Sequence, residues 1–299
     1  MRVFVTGATG FVGPAVANAI ADAGHELRVL ERKPGAWSEA GIRCQAAVQG
    51  DVTDSETMRR AVQDIDVVVH LVAIRQGKPK EFERVMVGGT RNLLAAAKVA
   101  GVRRFVLMSA LGVTEQTKDL VPFYGAKWTE EQDTKASGLE HVIFRPSFIF
   151  GRDGGILPTF KKLAKLAPVT GIIGSGEQKI QPIWVDDVGA YFAQAIDRPE
   201  AANRTFEVGG PDVVAWNELW QRIRALQGIR RRPTIHMPIG LMRIPAMLTE
   251  RLPGNIPLTR DLLTMLESGD NVAANDDAVR TFQLPLVPLD EQLLRATSS

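Results

Sequence analysis

The chain has 299 residues, 45% of them hydrophobic, enough to bury a large core in one large domain or two unequal ones. Its 36 Lys and Arg against 34 Asp and Glu leave a formal charge of +2, and the densest basic cluster, Arg230-Arg231-Arg232, reads as a solvated helix end, so no nucleic-acid surface is expected. One cysteine, Cys44, excludes an internal disulfide framework and suits the reducing cytoplasm, and His25, His70, His141 and His236 never fall at metal-ligand spacing; no apolar run nears the ~20 residues of a membrane span, and a first strand starting at residue 2 predicts no signal peptide.

A β-rich run, Val3, Phe4 and Val5, feeds three glycines spaced three apart, Gly7, Gly10 and Gly13, and then a small-residue segment with Pro14 in its first turn. That order predicts a strand, a tight turn and a helix N-terminus. Such a turn brings backbone N–H groups and the positive end of a helix to a phosphate with no Cβ in the way, the context that makes a Gly-rich motif a dinucleotide cradle. Gly24 ends this helix, and a second strand over 27–30 closes on Glu31 and Arg32, where a ribose is read. A third strand near 46–48 leads into Gly50-Asp51-Val52-Thr53-Asp54, with Asp54 or Ser55 capping a helix to Gln63. Residues 66–73 form a nearly unbroken apolar run. Strands buried on both faces look like this, which predicts a parallel sheet covered by helices.

A helix over 83–100 places Val85, Gly89, Leu93, Ala96 and Ala100 on one face. A strand at 104–108 ending at Ser109, a helix at 124–137 and a strand at 142–144 complete the alternation. The predicted fold class is therefore α/β, a Rossmann-type doubly wound parallel sheet. Beyond Gly151 the rhythm breaks into Gly- and Pro-rich loops and short elements. One βα piece returns, with strands at 183–185 and 205–208 around a helix at 186–196, and the tail holds a helix at 216–226 and an apolar, Pro-punctuated stretch at 235–252. These boundaries predict a dinucleotide-binding domain from 1–150 plus 182–208. The smaller substrate or lid domain takes 151–181 plus 209–299.

The ordered motifs resemble the short-chain dehydrogenase/reductase superfamily, in its extended and atypical branches. Thr6-Gly7-Ala8-Thr9-Gly10-Phe11-Val12-Gly13 is similar to its cofactor loop, Gly50-Asp51-Val52 to its adenine-side segment, and Val69-His70-Leu71-Val72-Ala73 to the end of its fourth strand. Arg145-Pro146-Ser147-Phe148-Ile149-Phe150-Gly151 and Ile183-Trp184-Val185-Asp186-Asp187-Val188 match later landmarks. The Ser109-Ala110-Leu111-Gly112 turn and the tail from Gly209-Gly210-Pro211 look most like the complex I accessory-subunit group of NAD(P)-binding proteins. The resemblance implies cofactor contacts from Gly7, Thr9, Gly10, Phe11, Val12, Gly13, Glu31, Arg32, Lys33, Asp51, Val52, Leu71, Val72, Ala73, Ser109, Lys127, Pro146 and Ser147, and no metal.

The superfamily's usual reaction needs Tyr and Lys four residues apart on one helix face and a Ser or Thr after the fifth strand. The tyrosinate moves the hydroxyl proton, the ammonium lowers its pKa, and the hydroxyl holds the substrate oxygen. Ser109 and Lys127 fill two roles, but four residues before Lys127 stands Phe123, which has no proton to give. Tyr124 is one position on, about 100° around the helix, and Met86 stands where Asn is common. The favoured reading is a tight NAD(P)-binding protein with weak or no classical dehydrogenase turnover, Lys127 serving the nicotinamide ribose. One alternative is an active oxidoreductase or nucleotide-sugar epimerase/dehydratase using Tyr124 and Lys127. Another is a regulator that reports the NADP ratio to a protein partner. NADP (NADPH) is favoured over NAD on Arg32 and Lys33, provided Glu31 points away from the ribose.

Lesser candidates are Arg75 and Gln76 as solvated or substrate-reaching loop residues, Asp186-Asp187 as a helix cap, and Trp184 and Phe150 as core or pocket wall. The apolar stretch 239–248 reads as packing within the small domain or as weak contact with a membrane surface or partner. The expected location is cytoplasmic, with a respiratory complex as one partner and the periphery of the inner membrane as one site.

Overall fold

The computed structural model describes residues 1–229, 232–250 and 258–297. The chain forms two compact units. The first comprises Met1–Pro146, Val185–Val208 and Ala274–Pro285, and the second Ser147–Trp184, Gly209–Ala273 and Leu286–Ser299. Arg230 and Arg231, most of the basic cluster noted above, lie outside the described residues, as do Arg251 and Leu252 at the end of the apolar stretch.

Seven parallel strands build the first unit. They are β1 (Arg2–Thr6), β2 (Glu26–Glu31), β3 (Ala46–Gln49), β4 (Val67–His70), β5 (Arg104–Met108), β6 (Glu140–Pro146) and an edge strand, Arg204–Val208. Their order across the sheet is Arg204–Val208, β6, β5, β4, β1, β2, β3. Chain order reverses at β1, which pairs with β2 (Val3 opposite Leu27) and with β4 (Val3 opposite Val67). Such a reversal is where doubly wound sheets open a crevice beyond the carboxyl ends of the strands. The β4 side chains, Val67, Val68, Val69 and His70, are all fully buried, as a strand covered on both faces requires.

The helix expected at 83–100 begins earlier and is interrupted. Pro79–Phe82 runs into a π-helical turn, Glu83–Val87, and then into Gly88–Val99. The extra residue of that turn leaves Val85 only partly buried, while Gly89, Leu93 and Ala96 stay on the buried face. On the other side of the sheet, Phe144 of β6 is the hub of an aromatic cluster with Phe192 at 4.9 Å, Phe282 at 5.5 Å, Tyr191 at 5.8 Å and Phe206 at 5.9 Å between ring centroids. Phe282, carried by the helix Asp276–Phe282, accounts for the return of Ala274–Pro285 to this unit; truncating such a ring costs about 3–5 kcal/mol.

The second unit pairs Thr170–Ile173 in parallel with Thr234–Met237, and Val214–Ala215 antiparallel with Lys179–Ile180. Ile183–Trp184, expected to rejoin the main sheet, pairs instead with Ile149–Phe150. The insert read as loops and short elements contains a ten-residue helix, Leu157–Leu166. Its Phe160 packs on Trp220 and Trp216, at 5.0 and 5.7 Å between ring centroids, of the helix Trp216–Leu226. Among the described residues, no helix is long and apolar enough to cross a membrane.

Candidate functional site

The turn after β1 has the shape its glycines predict. Gly7 adopts φ +76°, and a Cβ there would lie 2.9 Å from the Leu71 carbonyl carbon. Gly13 is tighter still: a Cβ would sit 2.0 Å from the Ala8 carbonyl oxygen. Gly10 N–H donates to the Gly7 carbonyl at 3.1 Å, closing the turn. The helix α1 (Gly13–Asp22) then starts at Val12 with no side-chain cap and Pro14 in its first turn. Its first N–H groups are the orphan donors that bind anions at helix N-termini. Thr9, Gly10 and Phe11 are exposed on the turn, Val12 and Gly13 are buried beneath it, and Leu71, Val72 and Ala73 follow β4 alongside Gly7.

At the end of β2 the Glu31 side chain is 6% exposed, and both carboxylate oxygens accept backbone N–H groups, from Gly35 at 3.1 Å and Trp37 at 3.2 Å. Arg32 and Lys33 are exposed beside it. Asp51 is oriented by Thr53, whose N–H and hydroxyl donate to one oxygen at 2.9 and 2.8 Å. Burial raises the Asp51 pKa, but the Thr53 hydrogen bonds and the Arg32 and Arg84 charges outweigh it, and the net shift is downward. Asp51 and Arg32 therefore share one electrostatic neighbourhood. Val52 is buried against Gly89, and its carbonyl accepts from Asn92 at 3.1 Å.

Beneath the cradle runs a chain of buried polar side chains that the sequence did not disclose. The His70 ring meets the Thr6 hydroxyl through Nδ1 at 2.6 Å and the Thr90 hydroxyl through Nε2 at 3.0 Å. Thr90 Oγ1 donates to Glu130 Oε1 at 2.9 Å, and Glu130 Oε2 lies 2.9 Å from Lys127 Nζ. Lys127 Nζ also donates to the Met108 carbonyl at 2.8 Å. His70 and Glu130 are fully buried, and Lys127 is 1% exposed. Burial, helped by the Lys127 charge, pushes the His70 pKa down to about 3, so the imidazole is neutral. Burial pushes the Glu130 carboxyl up, against the pull of Lys127.

The helix Pro122–Ala136 carries Phe123, Tyr124 and Lys127. Phe123 packs on the apolar group of Phe82, Met86, Val87 and Ala126. Tyr124 is 5% exposed and its hydroxyl lies against Gly112, where a Cβ would come within 2.8 Å of it; burial raises the phenol's pKa. Ser109 is buried after β5, and its hydroxyl has no hydrogen-bond partner among the described residues. Pro146, at the end of β6, accepts from Leu111 N–H at 3.0 Å. Ser147, in the second unit, donates its hydroxyl to Asn271 Oδ1 at 2.7 Å. Trp184 and Phe150 are buried, Arg75 and Gln76 are exposed, and Asp186 and Asp187 open the helix Val185–Gln194. No group of three or more His, Cys, Asp or Glu able to hold a metal occurs among the described residues.

A Cβ-free turn, an uncapped helix start and a buried hydroxyl left unpaired suit a nicotinamide dinucleotide. The family model for NAD dependent epimerase/dehydratase proteins matches residues 3–209. The chain belongs to that family. Within it, relatives include the mitochondrial NADH dehydrogenase [ubiquinone] 1 alpha subcomplex subunit 9 of Rattus norvegicus, 26% identical over 96% of this chain and 77% of that protein. A 2-alkyl-3-oxoalkanoate reductase of Stenotrophomonas maltophilia is 25% identical over 100% of this chain and 99% of the relative. The fold is shared with an Escherichia coli NADPH-dependent quinone oxidoreductase solved with NADPH, at TM-score 0.79 and 18% identity over 99% of this chain and 100% of that one. A Bordetella bronchiseptica enzyme solved with NAD⁺ gives TM-score 0.74 and 19% identity over 99% of this chain and 96% of that one. The relatives of this chain thus include both a reductase and an NADH dehydrogenase subunit.

Proposed function

We propose that this chain holds NADP (NADPH) tightly and carries out little or no classical dehydrogenase turnover. Gly7, Thr9, Gly10, Phe11, Val12 and Gly13 would take the pyrophosphate. Asp51 and Val52 would lie on the adenine side, Leu71, Val72 and Ala73 along the cofactor, and Ser109, Lys127, Pro146 and Ser147 toward the nicotinamide. When bound, the dinucleotide supplies or accepts a hydride. The preference for NADP rests on Glu31, whose two oxygens are occupied by the loop that follows, leaving exposed Arg32 and Lys33 to meet a 2′-phosphate.

The observation that carries the low-turnover reading is the state of Lys127. Its ammonium is buried and paired 2.9 Å from Glu130, so its field is largely neutralised before it could reach a phenol. Tyr124, the one phenol at hand on this helix, is shifted by burial away from tyrosinate. Phe123, at the usual position, packs among hydrocarbon. Equilibrium titration with NADPH and NADH tests the cofactor half; tighter NADH binding rejects NADP, and binding of neither rejects the reading.

A second reading, an oxidoreductase or nucleotide-sugar epimerase/dehydratase using Tyr124 and Lys127, is favoured by the unpaired Ser109 hydroxyl, which could hold a substrate oxygen. It fails if Tyr124→Phe and Lys127→Ala both leave a demonstrated activity unchanged. Similarity to the NADH dehydrogenase subunit supports a protein partner of respiratory-complex type, and the location we propose is the cytoplasm. The helix Ile239–Thr249 fits peripheral contact at an inner membrane, since Leu241, Ile244 and Leu248 are more than half exposed at i, i+3 and i+7. Co-sedimentation with inner-membrane vesicles that survives Leu241→Ser with Leu248→Ser would remove that support.

A further inference from the structure

We propose that the second unit binds the apolar chain, aliphatic or prenyl, of a soluble amphiphile. The site is an apolar cavity of about 230 Å³. Its lining residues all belong to the second unit, so the inference stands apart from the dinucleotide reading.

Two aromatic walls are held rigidly. Trp220 packs on Phe160 at 5.0 Å, and Trp216 meets Phe148 edge-on at 5.5 Å. Leu262 and Leu266, one turn apart on the helix Arg260–Glu267, form another wall, and Ile172 is buried in the strand Thr170–Ile173. Among the described lining residues Thr159 carries the one hydroxyl, and the indole N–H groups of Trp216 and Trp220 are the other polar side-chain groups. Water held in such a space needs two to four polar partners, and these few groups are set among leucine, isoleucine, phenylalanine and methionine side chains that offer none. The cavity opens past Leu163, which is 48% exposed, so it is an accessible apolar concavity rather than a sealed packing defect.

Size and chemistry select the occupant. A dry apolar cavity of about 150 Å³ accommodates benzene, so about 230 Å³ corresponds to roughly nine or ten carbon atoms. A peptide anchor would bring backbone N–H and C=O groups to a rim of Leu163, Leu258, Leu262 and Leu266, with little to pair them. A hydrocarbon chain brings none. Its polar head would remain in water beyond the rim, which makes a soluble amphiphile the fitting source.

Calorimetric titration of the whole chain with monomeric n-alkanols from hexanol to tetradecanol tests this, with Trp fluorescence as a second signal from Trp216 and Trp220. Saturable binding is expected, tightening about three- to fourfold per methylene until the cavity is filled near nine or ten carbons, with increments below about twofold beyond. Leu262→Trp, whose larger side chain would take up much of the cavity, should weaken decanol binding about tenfold or more while circular dichroism and NADPH titration match the unaltered chain. Should that variant not fold, the break in the chain-length series of the unaltered protein decides. The proposal is overturned by no saturable binding below the alkanol solubility limit, by increments that continue unbroken to tetradecanol, or by equal affinity in folded Leu262→Trp. A response seen only with phosphatidylcholine and phosphatidylglycerol vesicles also overturns it, because the chain would then come from a bilayer.

Discussion

Acidification should destabilise this protein through His70 more than through its other histidines. The ring is fully buried between Thr6 and Thr90, and its pKa falls from 6.5 to about 3. The folded state therefore prefers the neutral imidazole. A depressed pKa contributes stability that is present above the unfolded value of 6.5 and is lost as pH falls from there toward the folded value of about 3. Between pH 7 and pH 5 that loss is about 2 kcal/mol, and it reaches about 4 kcal/mol near pH 3. Urea unfolding at the two higher pH values would measure it. His70→Asn should be less stable than the unaltered chain at pH 7, because Asn cannot span both hydroxyls, yet it should lose about 2 kcal/mol less on going to pH 5. The comparison cancels the carboxylates and the partly buried His25 and His141. Parallel pH dependence in the two proteins would refute the neutral buried ring.

Three further outcomes follow from distances at the site. Glu130→Gln should cost about 3–5 kcal/mol in chemical unfolding, because it strands the Lys127 charge in a fully buried position, whereas replacing both Lys127 and Glu130 by Met should cost far less. Gly13→Ala, whose methyl would lie 2.0 Å from the Ala8 carbonyl oxygen, should lower stability by about 3 kcal/mol and weaken dinucleotide binding; Gly24→Ala, with open space and φ +83°, should cost about 1–2 kcal/mol and leave binding unchanged, as melting and titration would show. Arg32→Ala should weaken NADPH binding about tenfold or more and change NADH binding little, and equal losses for both would argue against a 2′-phosphate at this position.

The first unit was legible because its signals are local. β4 is a run of apolar residues buried on both faces, and Gly7 and Gly13 stand where backbone leaves no room for a side chain. What escaped was what depends on distant pairing. Phe282 looks like a lone aromatic in a polar tail until β6 and the edge strand surround it. The π-helical turn at Glu83–Val87 escaped because one extra residue barely disturbs a helical period. Residues 157–166 were hidden by flanking Gly and Pro, although Phe160 and Ala164 share a face. The network from Thr6 to Lys127 links residues 64, 20 and 40 positions apart before its last step of three. Each member reads blandly alone. The one available signal was Glu130 three residues beyond Lys127, a spacing that places two charges on neighbouring turns of a helix.

The candidate site thus combines two kinds of construction. The cradle is steric: it works by removing side chains and presenting backbone, and a ligand completes it. The polar network is self-completing, since His70, Thr90, Glu130 and Lys127 have one another as partners before any ligand arrives. A proton relay needs a group left poised, with its charge available to the substrate. Here the ammonium is balanced from below by Glu130, the imidazole is held neutral, and the Ser109 hydroxyl is buried without a hydrogen-bond partner among the described residues. That division of labour favours holding a dinucleotide over turning one over. It also makes Glu130 the residue on which the two readings part: if Glu130→Gln raised hydride-transfer turnover in a protein that stayed folded, the carboxylate would be the restraint on Lys127, and the unaltered chain would be a binder built on a silenced catalytic frame.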